Sequence, residues 1–107
     1  MRGIITQNPT LGYTGVAAAY SADGYAWRSA LVDYLRANRE LVYQHMAEHM
    51  PELRMWPMQA TYLAWIDATA LQWRDPVLEF ERGGVGLTDG RFFGQKGYVR
   101  LNFALPR

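Results

Sequence analysis

A chain of 107 residues, half of them hydrophobic and a fifth charged, has the size and composition of one globular domain with its own core. Its formal net charge of +1 gives no electrostatic hold on nucleic acid or an anionic membrane, and no apolar run reaches the ~18 residues of a membrane span. It has no cysteine, which excludes disulfides and thiolate chemistry; with no signal peptide in view, it reads as cytoplasmic. Two biases stand out: Lys96 is the single lysine against ten arginines, and aromatics are abundant, with Trp27, Trp56, Trp65 and Trp73 among them.

Residues 1–7 carry no firm signal. Asn8-Pro9 has the form of an N-cap followed by proline at the first helical position, predicting a short alanine-rich helix over Leu11–Tyr20. Ser21-Ala22-Asp23-Gly24 breaks it, with Asp23 as the expected cap of the next helix. That helix should run from Tyr25 to Met50 and stop at Pro51. Trp27, Leu31, Tyr34, Leu35, Leu41, Val42, His45, Met46 and His49 fall near one stripe at helical spacing, which predicts a core-facing side.

Beyond Pro51 the pattern shortens. Leu53–Trp56 reads as a brief extended piece, and Thr61–Asp67 as a central strand, apolar on both faces. Asp75-Pro76 is a second cap-plus-proline start, for a helix through Glu81 that ends at Gly83-Gly84. Val85–Leu87 is expected as a strand, Asp89-Gly90 as a turn, and Gly94 and Gly97 as brackets of another turn. The last ten residues, Tyr98–Arg107, read as a terminal strand. The order predicts an α+β sandwich of two layers, with a small antiparallel-rich sheet covered on one face by the long helix.

Alternation along that terminal strand puts Arg100 on one face with Tyr98 and Asn102, and Val99, Leu101 and Phe103 on the other. A guanidinium on a rigid strand suits bidentate capture of a carboxylate. The same residue also suits a plain sheet-edge arginine in solvent or in an ion pair. Elsewhere, His45-Met46-Ala47-Glu48-His49 has the H-x-x-E-H spacing of inverted zinc peptidases. It lies at a helix C-terminus, where histidines favour the last carbonyls. The glycines after Gly83 read as turns, because no G-K-[ST] follows them. Lys96 sits in such a turn and reads as solvated.

Several stretches together carry a resemblance. They are Ala60–Asp67 (ATYLAWID), Gly84–Gly90 (GVGLTDG), Phe93-Gly94 and Gly97–Ala104 (GYVRLNFA). Asn8-Pro9, Ala17–Tyr20, Gly24, Trp27, Tyr34-Leu35 and Asn38-Arg39 precede them in matching order. The chain thereby resembles the C-terminal part of class I/II aminotransferase-like (fold-type I) enzymes dependent on pyridoxal 5'-phosphate (PLP), and among these the cystathionine β-lyase or C–S lyase group. The resemblance implies a PLP-transferase small domain over residues 24–107, with residues 1–23 as a remnant of the interdomain segment or the large-domain end. Arg100 matches the arginine that binds the α-carboxylate of an amino-acid substrate. It would position the substrate without moving protons. The catalytic lysine and the cofactor contacts of the family lie upstream of anything present, and the final helix of the family has no counterpart. The segment between Asp67 and Asp75 also looks short.

The expectation is therefore part of a C–S β-lyase or an aminotransferase, inactive alone and carrying no cofactor by itself. Its partner would be a large domain, and its uncovered apolar faces would favour a homo-oligomer. The alternative is a stand-alone binding module for an amino acid or a peptide carboxylate.

Overall fold

The computed structural model describes residues 9–106. In chain order these form helix α1 (Thr10–Ala19), helix α2 (Ala22–His49), strand β1 (Arg54–Met55), strand β2 (Leu63–Asp67), helix α3 (Pro76–Arg82), strand β3 (Thr88–Asp89) and strand β4 (Tyr98–Asn102). Short 3-10 turns cover Thr69–Leu71 and Gly90–Phe93. The chain divides between Tyr34 and Leu35 into two compact units, and α2 contributes to both. Among the described residues no helix is long and apolar enough to cross a membrane.

In the first unit, α1 and α2 meet at a tight turn. The hydroxyl of Ser21 donates to the Ala18 carbonyl at 2.7 Å, and its oxygen accepts from the Gly24 amide at 3.1 Å. Ser21 is thus the side chain that caps α2, and Asp23, expected in that role, lies inside the first turn. Pro9 occupies the N-cap position of α1 rather than the first helical one, and no side chain caps that end. Asn8 lies outside the described residues, as do 1–7.

The second unit holds the sheet. Its strand order is β1-β2-β4-β3, with every neighbour antiparallel, so β2 and β4 are the central strands. The register sets Ala64 opposite Leu101, Ile66 opposite Val99 and Trp65 opposite Arg100. Ala64, Ile66, Val99 and Phe103 are buried on one face and pack with Met46 of α2, and Val42, Val77 and Phe80 join from the helices. Burying each branched side chain contributes about 1.5–3 kcal/mol. α3 is held at its start by Asp75, whose carboxylate accepts from the Leu78 amide at 3.2 Å. An apolar recess of about 390 Å³ opens on this side, lined by Leu41, His45, Met46, Phe80, Leu87 and Leu101 among others.

Several expectations are corrected. The α2 stripe is mostly uncovered: Trp27, Tyr34, Leu41, His45 and His49 are exposed, and only Met46 is buried. Helical spacing reveals a face, but not whether anything lies against it. The residue that does lock α2 in place is polar. Asn38, 4 % exposed, donates from Nδ2 to the carbonyls of Phe103 and Leu105, both at 3.0 Å. Val85–Leu87 is not a strand, because the Val85 amide bonds to the Phe80 carbonyl at 2.9 Å and closes the end of α3. Pairing begins instead at Thr88 and Asp89, opposite Arg100 and Val99. Asp89 is therefore a strand end, and it caps the following 3-10 turn through the Arg91 amide. The terminal strand ends at Asn102, where the Asn102 side chain accepts from the Ala104 amide and turns the chain.

Candidate functional site

The pleat that buries Val99 sends Tyr98, Arg100 and Asn102 to the opposite face of the sheet. Trp65 and Thr88 flank Arg100 from the two neighbouring strands. A line of rings crosses this face: Trp56 stacks with Tyr98 at 6.2 Å, Tyr98 with Trp65 at 5.6 Å, and Phe93 meets Trp65 edge-on at 5.6 Å. Arg100 sits at the Phe93 end of this line. Its guanidinium carbon lies 4.6 Å from the Phe93 ring centre, and an Nη contacts the Thr88 hydroxyl at 3.5 Å.

Arg100 differs from five other arginines of this unit. Arg39, Arg82 and Arg91 have carboxylate partners, and Arg54 and Arg74 are exposed. Arg100 is half-buried, and among the described residues no carboxylate pairs with it. A partly desolvated cation without a counter-charge is costly unless something negative faces it, and here that role falls to the Phe93 ring.

The acid on this face is already committed. Asp67 accepts from the Thr69 hydroxyl at 2.6 Å, the Thr69 amide at 2.9 Å and the Tyr98 hydroxyl at 3.2 Å. Those bonds, the Thr69 hydroxyl foremost, hold its pKa below the usual carboxylate value. Loss of hydration and then the bond to Asp67 push the Tyr98 hydroxyl upward. At the edge of the sheet Arg91 binds Asp89 and reaches Asp75, which lowers Asp89 and ties α3 to β3.

No family model matches the sequence. Curated relatives do. MalY of Escherichia coli is 36% identical over 102 residues, covering 91% of this chain and 26% of MalY. Cystathionine beta-lyase PatB of Bacillus subtilis is 31% identical over 94 residues, 83% of this chain and 24% of PatB. Among solved structures, OvoB superposes with a TM-score of 0.89 at 42% identity over 99% of this chain and 27% of its own. The PLP-bound C–S lyase of Staphylococcus hominis gives 0.82 at 24% identity, over 96% of this chain and 29% of its own. The chain is homologous to fold-type I PLP enzymes of the cystathionine β-lyase and C–S lyase group. It has the form of their C-terminal small domain, and it spans about a quarter of the length of the curated relatives it matches.

Lys96 and the H-x-x-E-H pair are the other groups that the sequence singled out. Lys96 is exposed in the Gly94–Gly97 turn. The start of α3, the one helix end beside it, is closed by the Asp75 carboxylate, which would repel a phosphate. The H-x-x-E-H pair does not gather ligands either. The rings of His45 and His49 stack at 4.4 Å, His49 Nδ1 donates to the His45 carbonyl at 3.2 Å, and no metal-binding group of three forms among the described residues. The apolar recess has His45 as the one polar side chain in its lining. Phe93, Trp65 and Thr88 were not singled out from sequence as neighbours of Arg100, since their approach depends on strand register. The richness in aromatics was the one available signal.

Proposed function

We propose that this chain supplies the substrate-carboxylate half of a PLP-dependent active site, in an enzyme that cleaves a C–S bond at Cβ of an amino acid or transfers its amino group. The observation that carries this is Arg100, half-buried on the sheet face away from Val99, without a carboxylate partner among the described residues and set over the Phe93 ring at the end of an aromatic line. Arg100 would take the α-carboxylate through two N–H donors and orient the substrate. The chemistry at Cα belongs to the cofactor, an electron sink, and to a lysine held outside this segment. On this reading residues 1–23 come from the interdomain connection and 24–107 form the small domain. The isolated chain neither holds PLP nor turns over substrate.

The similarity to cystathionine beta-lyase PatB of Bacillus subtilis supports the C–S lyase branch of this reading. Calorimetry of the purified chain with an L-amino acid and with its amide tests it. Weak binding of the acid, lost with the amide and with Arg100→Ala, is expected. Added PLP should give no aldehyde-adduct absorbance near ~420 nm and no thiol release from cystathionine. Binding that persists in Arg100→Ala contradicts the assignment.

A further inference from the structure

We propose that His45 and His49 form a two-point surface chelate for a divalent transition metal of the zinc class. The proposal does not rest on the Arg100 site. The two histidines stand one turn apart at the end of α2, so both side chains leave the same face of the helix. Their rings lie side by side, with centroids 4.4 Å apart and planes 18° from parallel. Both residues are exposed, so no packing opposes an incoming ion. Two imidazole nitrogens on one tetrahedral zinc, each at about 2.0–2.1 Å, stand about 3.3 Å from one another. A small turn of the exposed rings takes them from stacking distance to that spacing.

Hydrogen bonding selects the ligating atom. A carbonyl only accepts, so the 3.2 Å contact to the His45 carbonyl places the proton of His49 on Nδ1. Nε2 then keeps its lone pair for a metal. Metal-ligating histidines commonly hold their other ring N–H on a backbone carbonyl or a carboxylate, which fixes tautomer and ring direction. Charge favours a cation here as well. The pair occupies the last turn of a 28-residue helix, where the final carbonyls form the negative end of its dipole. Glu48 brings a carboxylate oxygen 4.0 Å from the same Nδ1. Imidazole nitrogen suits zinc, copper and nickel, whereas magnesium and calcium take oxygen ligands. No third side chain joins the pair among the described residues, so water completes the coordination sphere and the ion stays at the surface. An ion held by both rings ties together the last turn of α2, immediately before Pro51, and stabilises the folded chain by mass action.

Zinc chloride titrated into the full chain, free of any affinity tag, tests this by calorimetry and by the imidazole nitrogen signals in NMR. One ion per chain is expected, with a ring nitrogen of each histidine moving and the His49 Nδ1–H retained. His45→Gln and His49→Gln each remove one arm of the chelate and should weaken binding at least tenfold, with unchanged circular dichroism. Magnesium chloride should move neither ring. No binding at millimolar zinc overturns the proposal, as does a response confined to one ring. Binding that either glutamine variant retains at full strength overturns it too, and an equal response to magnesium reduces the effect to charge attraction by Glu48.

Discussion

Arg100 lies over the ring of Phe93, 4.6 Å from its centre, and Phe93 is itself braced edge-on by Trp65. One partner comes from a central strand and the other from a 3-10 turn. The contact gives the guanidinium a fixed direction without using any of its donors. A carboxylate can therefore still meet the fork that strand and ring hold in place.

Replacing Phe93 with leucine should loosen that fork. A partly exposed cation–π contact contributes about 0.5–1 kcal/mol, so carboxylate affinity should fall about two- to fivefold. Phe93→Tyr, which keeps the ring face, should retain wild-type affinity. Calorimetry with the same amino acid for the three proteins checks this.

Asn38 should be the most sensitive polar position. Its amide must turn Nδ2 towards the carbonyls of Phe103 and Leu105, and Oδ1 has no partner among the described residues. Asn38→Ala leaves two carbonyls unpaired and should cost about 2–4 kcal/mol. Asn38→Asp, which points oxygens at oxygens, should cost more than that. The urea midpoints of the two variants measure the difference.

Asp67 predicts an acid limb of stability. Its folded pKa lies below the ordinary 3.8 because Thr69, first through its hydroxyl, bonds the charged form. The contribution is therefore complete above the ordinary carboxylate range and is lost as pH falls through the lower folded value. Urea midpoints should decline below about pH 4, and Asp67→Asn should flatten that decline. Part of the slope should remain, since Arg91 lowers Asp89 in the same way.

Two glycines separate backbone strain from crowding. Gly94 and Gly97 both have φ of 81°, but only at Gly97 would a Cβ meet another residue, Thr69 Cγ2 at 2.6 Å. Gly94→Ala should cost about 1 kcal/mol and Gly97→Ala about 2 kcal/mol or more. Thermal unfolding of the pair gives the comparison.

The parts legible in the sequence were those set by local chemistry. Asp75-Pro76 announced α3, Pro51 ended α2, and the alternation Tyr98-Val99-Arg100 placed Val99 inward and Arg100 outward. Misreadings came where a distant group decides. The α2 stripe was apolar but mostly uncovered, and Asn38 was polar but buried, because its partners lie 65 and 67 residues away. Val85–Leu87 had strand-like residues, yet the closing bond to Phe80 claimed Val85. For the site, Arg100 could be singled out alone, whereas its contact with Phe93 exists only once β4 and the 3-10 turn are in place.

The central claim is that Arg100 is a carboxylate receptor, and its own Nε–H resonance reports this most directly. In an NMR titration with L-alanine, the Arg100 Nε–H signal should shift saturably, should not move with L-alaninamide, and should leave the remaining arginine signals largely in place. Arg100→Lys should abolish the saturable response elsewhere on this face, including at the Trp65 indole. Equal shifts with acid and amide, or a response at Trp65 that survives Arg100→Lys, would contradict the account.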